Sequence, residues 1–241
     1  MQIVVLAGGL GTRMRSVSEL VPKVMLPVVT GGREIPFIHH QLNWLVKHGA
    51  TEIVLSIGHK GQMIRDLVGS GAQFGVRVQY VDEGEKLRGT AGALRFAYDE
   101  GVLSEKFMLI YGDSFLPIDL QPVWAEFERV GEPALMTIYR NGGKFDRSNA
   151  RWDGSRVFYD KSADPVVERM DFIDYGLSVF KRDVIRDLVA ANIKYDLADV
   201  MKKLSLDGHL AGFEVRERFY EIGSPVGLKD FQDYINRGGA L

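Results

Sequence analysis

Cysteine is absent from the chain. That excludes a disulfide framework and any thiolate metal site, and it fits a reducing, cytoplasmic setting. Long hydrophobic runs are missing too. The opening segment Gln2-Ile3-Val4-Val5-Leu6 is apolar, but it stops at Gly8-Gly9 and no basic stretch precedes it. It is too short to cross a bilayer, so neither a secretory leader nor a membrane partner is expected. Charge of one sign is also lacking. The 30 basic and 32 acidic residues leave a net charge of −2, with no long basic run. Nucleic-acid binding driven by counterion release therefore has no footing, and a polyanionic ligand must be held by a local site. Histidine is scarce: His39 and His40 are adjacent on a predicted helix and point apart, while His48, His59 and His209 lack ligand spacing. These five, with Trp44, Trp124 and Trp152, read as packing or surface residues.

What is present is a length of 241 residues and an ordinary globular composition, 46% hydrophobic and 26% charged. In the first half, short apolar runs alternate with amphipathic ones. Strands are predicted at Ile3–Ala7, Thr51–Ile57, Val76–Val81 and Phe107–Tyr111, and helices at Pro36–His48, Gln62–Val68 and Thr90–Glu100. Such alternation makes βαβ units and a mostly parallel sheet with helices on both faces. Beyond Pro133 the pattern becomes mixed. Strands are predicted at Ala134–Arg140, Phe172–Phe180, Leu210–Val215 and Arg218–Ile222, with a hairpin over Arg151–Tyr159 turning at Asp153-Gly154. Helices are predicted at Arg182–Ala191, Leu197–Leu206 and Val226–Asn236. No repeat, low-complexity stretch or separating linker interrupts the chain, so residues 1–241 are expected to form one domain.

The segment Leu6-Ala7-Gly8-Gly9-Leu10-Gly11-Thr12-Arg13 follows the first strand directly. Closely spaced glycines let backbone N–H groups converge on an anion without Cβ obstruction. Arg13 adds a planar fork suited to phosphate oxygens, and Lys23 adds a point charge. The spacing rejects two familiar loops. A P-loop ends in Gly-Lys-Ser/Thr, and this one ends in Gly11-Thr12-Arg13. The dinucleotide fingerprint needs a third glycine that is missing here, which disfavours a Rossmann oxidoreductase. Further on, Asp113 in Tyr111-Gly112-Asp113-Ser114 closes an apolar strand. Ligands of α/β sheets bind at that end, and one carboxylate with phosphate oxygens is a usual way to hold Mg²⁺.

Leu6 to Arg13, then Pro22-Lys23 and Leu26-Pro27-Val28, resemble the signature of the sugar-phosphate nucleotidyltransferase family. The resemblance runs from Met1 to about Tyr234. It implies a Rossmann-like, GT-A-like fold with a nucleotide half at about residues 1–132 and a sugar-phosphate half at about 133–241. It also implies a Mg²⁺-dependent enzyme acting on an NTP and a sugar 1-phosphate. Leu6, Ala7, Gly8, Gly9, Gly11, Thr12, Arg13 and Lys23 become the triphosphate site, with Arg13, Lys23 and Asp113 catalytic. Many relatives have Pro-Leu-Thr where this chain has Arg15-Ser16-Val17-Ser18. That departure resembles the GDP-heptose-forming branch and favours GTP, although UTP or CTP with another sugar or alcohol phosphate suits the same loop chemistry.

The resemblance extends to later motifs. Gly112-Asp113 matches the family's metal-binding pair. Phe219-Tyr220-Glu221-Ile222-Gly223-Ser224-Pro225 resembles a segment whose acid is the second metal ligand, with Glu221 standing where an Asp is usual. Glu83 and Gly89-Thr90-Ala91-Gly92 resemble the nucleobase-reading segment. Thr90 read on its own is a helix N-cap, a role that is compatible with base contact. Asp160-Lys161 resembles a Glu-Lys pair whose lysine contacts the sugar phosphate. Asp174-Tyr175-Gly176 stands where many relatives carry an Asn-x-Gly that touches sugar hydroxyls. Aspartate accepts hydrogen bonds but cannot donate as an amide does, so the sugar recognised is expected to differ from the commonest ones. A non-catalytic sugar-nucleotide sensor stays open as a reading of another class. Retention of Arg13, Lys23 and Asp113 speaks against it. Self-association is left open.

Overall fold

The computed structural model describes residues 1–9 and 20–239. In chain order its elements are β1 (Gln2–Leu6), β2 (Pro27–Thr30), β3 (Arg33–Pro36), α1 (Phe37–Lys47), β4 (Glu52–Ile57), α2 (Gly61–Val68) and β5 (Arg77–Asp82). There follow α3 (Gly89–Asp99), β6 (Lys106–Tyr111), β7 (Ser114–Phe115), α4 (Leu120–Val130), β8 (Ala134–Arg140), β9 (Ala150–Trp152) and β10 (Val157–Tyr159). The last are β11 (Phe172–Lys181), α5 (Arg182–Leu188), α6 (Leu197–Leu206), β12 (Leu210–Val215), β13 (Tyr220–Glu221) and α7 (Pro225–Asn236). The expected α/β architecture is present. Contacts divide the chain into two compact units. The first is Met1–Leu87 with Ile110–Pro117 and Phe219–Leu241, and the second is Arg88–Leu109 with Ile118–Arg218.

In the first unit β4 lies between β1 and β5, all parallel. Ile3, Val4, Val5, Ile53, Val54 and Leu55 are wholly buried. Consecutive burial of this kind is the mark of strands covered on both faces. Helix α1 buries Phe37, Ile38, Leu42, Trp44 and Leu45, and Gly49 just beyond it has φ +93. The closing helix α7 is anchored by Phe231, whose ring lies 5.0 Å from Phe37 and 4.9 Å from Phe115. Its N-cap is Ser224, whose hydroxyl accepts the Gly227 N–H, with Pro225 in the first turn.

The second unit is mixed. β11 pairs antiparallel with β8 and β9, while β12 runs parallel to β8. The predicted hairpin is β9–β10. Phe107 stacks on Phe180 within the core, their centroids 5.8 Å apart.

Two of the features that went unread in the sequence have a clear local cause. One is the β2–β3 hairpin, whose Gly31-Gly32 turn has φ +58 and +76. Two positive φ values in a two-residue loop match the right-handed twist of the strands, and glycine adopts them without Cβ strain. The other is α4, which starts where the Asp119 side chain accepts the Gln121 N–H and buries Leu120, Val123 and Phe127.

Candidate functional site

In the first unit, three glycines stand just past the strands that end in Leu6, Ile57 and Tyr111. A Cβ on Gly112 would meet the Leu6 carbonyl oxygen at 2.8 Å and Val24 at 3.0 Å. The Gly112 N–H donates to that same oxygen at 2.9 Å. Gly8 and Gly58 approach each other within 3.3 Å of any added Cβ. Leu6, Ala7, Gly8 and Gly9 thus lead off the C-terminal end of β1, where ligands of α/β sheets bind. Gly11, Thr12 and Arg13 lie outside the described residues. Glu83 is buried, its N–H donates to the Ile57 carbonyl, and its carboxylate faces Gly8.

The Gly112-Asp113 turn is held firmly. Lys23 opens a short 3-10 turn, Lys23–Met25, after Pro22, and its Nζ lies 2.9 Å from Asp113 Oδ2. The two side chains are 14% and 27% exposed, so the pair is shielded but reachable. The Asp113 carbonyl accepts the Ile222 N–H at 2.9 Å, and Glu221 is the register partner of Ser114. The two acids of the sequence signature therefore sit on adjoining backbone segments, with Lys23 on one of them. A Cβ on Gly227 would collide with the Glu221 carbonyl, which fixes a glycine one turn into α7.

Among the described residues no group of three or more His, Cys, Asp or Glu side chains forms a metal cage. Mg²⁺ needs none, because it keeps several waters and is commonly held by one or two carboxylates plus substrate phosphates. The all-oxygen donors of Asp113 and Glu221 fit that ion.

The second unit holds the remaining candidates. The N-terminus of α3 wraps the Tyr195 backbone: the Ala91 and Gly92 N–H groups donate to the Tyr195 carbonyl at 3.0 and 3.2 Å, and the Tyr195 N–H donates to Arg88. A Cβ on Gly89 would lie 2.6 Å from that carbonyl. The Thr90 hydroxyl donates to Asp196 Oδ1 at 3.0 Å and accepts the Leu197 N–H at 2.7 Å. Thr90 therefore does not cap its own helix. Arg88 stands at that position and makes no side-chain cap bond, because the carbonyl from the neighbouring loop already takes the first amides. Lys161 lies 3.7 Å from Asp196 and is 67% exposed. Lys202 neutralises Asp160, and its hydrogen bond, with that of Ser162, draws the Asp160 carboxyl down to about 2. Asp174 accepts the Gly176 N–H at 2.9 Å. Burial pushes its carboxyl up to about 6, against the opposing pulls of the Gly176 bond and the Lys161 charge.

The chain matches the nucleotidyl transferase family over residues 2–231. It belongs to that family. It is 27% identical over 227 residues to the D-glycero-alpha-D-manno-heptose 1-phosphate guanylyltransferase of Campylobacter jejuni, covering 93% of this chain and 96% of that one. It is 26% identical to the UTP–glucose-1-phosphate uridylyltransferase of Synechocystis, across 91% of this chain and 58% of the relative. Among solved structures, HddC from Yersinia pseudotuberculosis complexed with GMP-PN superposes with a TM-score of 0.73. The two are 22% identical, with 97% of this chain and 99% of that one covered, and the likeness speaks for the fold.

Two residues of this nucleotidyltransferase that the motifs did not single out brace candidate residues, one in each unit. Gln41, wholly buried on α1, donates from Nε2 to the Tyr111 and Ser114 carbonyls at 3.0 and 2.7 Å. It braces the Gly112-Asp113 turn from both ends. Asn149 accepts the Asp174 N–H at 2.9 Å. Gln41 carried no signal in the sequence, being one of several polar residues on its helix. Asn149 carried none, lying in a loop. Of the histidines, His40 is buried and its pKa is lowered by that burial, in keeping with a packing role. No helix among the described residues is long and apolar enough to cross a membrane.

Proposed function

We propose that this nucleotidyltransferase joins GMP from GTP to D-glycero-D-manno-heptose 1-phosphate, releasing pyrophosphate and yielding GDP-heptose for surface glycan synthesis in the cytoplasm. The observation that carries the reaction class is the Lys23–Asp113 pair on a glycine-lined strand end, in a chain that matches the family almost throughout. The heptose guanylyltransferase that aligns over nearly its whole length supports the substrate choice.

The sugar phosphate is already an anion, so its oxygen attacks the α-phosphorus in line without a strong general base. Catalysis is positioning and charge neutralisation. Leu6 to Gly9 with Gly11, Thr12 and Arg13 hold the triphosphate. Lys23 and Arg13 stabilise the crowded phosphate oxygens and the departing pyrophosphate. Mg²⁺, when bound, neutralises phosphate charge, and Asp113 and Glu221 are the residues that would hold it. Glu83, Gly89 and Thr90 contribute to nucleobase selection; Gly89 and Thr90 do so by shaping the loop, since the amides after them are spent on Tyr195. Lys161 holds the sugar phosphate, while Gly112, Asp174 and Gly176 shape its site.

The test is a pyrophosphate-release matrix with Mg²⁺, pairing GTP, UTP, CTP, dTTP and ATP with heptose, mannose, glucose and N-acetylhexosamine 1-phosphates. Release from GTP with the heptose is the expected hit. A hit with another pair keeps the reaction and replaces the substrates. Silence from folded protein that still binds nucleotide would make the chain a sensor.

A further inference from the structure

We infer that Asn149 is a specificity residue for the acceptor sugar: its amide donates to a sugar hydroxyl while Asp174 accepts from the same or a neighbouring one. This rests on the sugar-phosphate reading above.

Asn149 is tied down on three sides. Its N–H donates to the Phe172 carbonyl and its own carbonyl accepts the Asp160 N–H, both at 3.0 Å, while its side-chain oxygen accepts the Asp174 N–H at 2.9 Å. A backbone N–H can be met only by the amide oxygen, so the orientation of the amide is set by chemistry. Nδ2 is thereby turned away with both its hydrogens, on a half-exposed side chain. No described residue accepts from it.

Asp174 is the counterpart. One oxygen accepts the Gly176 N–H, and no described donor meets the other. The pairing of β11 with β8 slips between Asp174 and Ser178, and Gly176 has φ +98. An irregularity of this kind takes a side chain out of the ladder and re-aims it. Asp174 is largely buried but keeps part of its surface open. Because Asp160 is bonded to the Asn149 carbonyl, the next residue, Lys161, is carried on the same hydrogen-bonded frame. One frame thus presents a cation, a donor and an acceptor. They match the phosphate and hydroxyl groups of a sugar 1-phosphate. A lone asparagine at position 174 would offer donor and acceptor from one side chain; here the two functions are divided between two residues.

The experiment uses purified protein, Mg²⁺, the NTP and acceptor that give pyrophosphate release, and the monodeoxy analogues of that acceptor. Wild-type protein should turn over at least one deoxy analogue about ten-fold less efficiently, the loss expected for a missing hydrogen bond of the usual strength. Asn149→Asp keeps an oxygen for the Asp174 N–H but has no donor. It should raise KM for the sugar phosphate by a similar factor, leave KM for the NTP unchanged, and lose the discrimination at one hydroxyl. Combining Asn149→Asp with Asp174→Asn exchanges acid and amide and should restore part of that discrimination, which a bracing role alone would not do. Wild-type indifference to every deoxy position overturns the inference whatever the variants do. So does Asn149→Asp with an unchanged KM and deoxy profile, and in both cases the reaction class survives. Absence of turnover with any sugar phosphate overturns the functional reading itself and this inference with it.

Discussion

The Lys23 ammonium lies 2.9 Å from Asp113 Oδ2, so the cation assigned to the triphosphate and the acid assigned to the metal neutralise each other. The pair is partly shielded. An ion pair of that kind contributes little stability, on the order of 1 kcal/mol or less. Its interest lies in what each partner does when phosphate arrives. Asp113→Asn keeps the shape and one acceptor oxygen but removes the charge. It should lower Mg²⁺-dependent pyrophosphate release by about a hundred-fold or more, the loss typical of a removed electrostatic stabiliser, with the thermal midpoint nearly unchanged. Turnover near that of the wild type would remove Asp113 from metal binding.

Glu221 offers a graded test. It is the register partner of Ser114, the residue after Asp113, and its carboxylate stands where the family motif has the shorter acid. Glu221→Asp preserves an oxygen ligand, and Glu221→Ala removes it. The Mg²⁺ concentration for half-maximal rate should rise modestly in the first and at least ten-fold in the second. If the two variants titrate alike, Glu221 holds no metal.

Gln41 carries a prediction about positioning. Its amide satisfies two carbonyls, one on each side of the Gly112-Asp113 turn. Gln41→Leu fits the volume but leaves both carbonyls buried without that donor, at a cost of about 1–3 kcal/mol for such unsatisfied groups. Chemical denaturation should register that loss. Steady-state kinetics should show kcat falling more than the KM of either substrate rises, because the displaced group is Asp113. A variant that loses stability with kcat intact would make Gln41 structural only.

Much of this was legible from the sequence for identifiable reasons. Burial on both faces wrote β1 and β4 around the apolar runs Ile3–Leu6 and Ile53–Leu55, and Gly49, after α1, marked where that helix ends. The Gly112-Asp113 turn was readable because a strand end, a glycine and an acid coincide. What stayed hidden depends on partners distant in the chain. Thr90 reads locally as a helix cap, yet its hydroxyl is engaged by Asp196 and Leu197. Gly89 reads as a contact for a base, yet its missing side chain makes room for Tyr195. Asn149 and Gln41 are ordinary polar residues until the fold places Asp174 and Ser114 against them. Helix α4 went unread although Asp119, Leu120, Val123 and Phe127 carry its cap and its periodic apolar face.

Asp174 supplies the last prediction, in which stability and function pull apart. Burial pushes its carboxyl up to about 6, against about 3.9 for an unfolded aspartate. Between those values the folded protein holds a proton that the unfolded chain has released. Stability therefore falls as pH rises through that window, and the full penalty of a buried charge is present above it. Asp174→Asn cannot ionise and keeps an oxygen for the Gly176 N–H. Its thermal midpoint should exceed that of the wild type at pH 7.5 (about one and a half units above the window), and the gain should vanish near pH 4. The same variant should bind sugar phosphate less well at pH 7.5, because the charged acceptor is lost. The sugar phosphate has a second ionisation near pH 6, so the pH profile of its KM must be compared between wild type and variant; only the wild type should show the added contribution of Asp174. A midpoint gain equal at pH 4 and 7.5 would mean that something other than the buried charge sets the stability, and matching KM profiles would remove Asp174 from the sugar site.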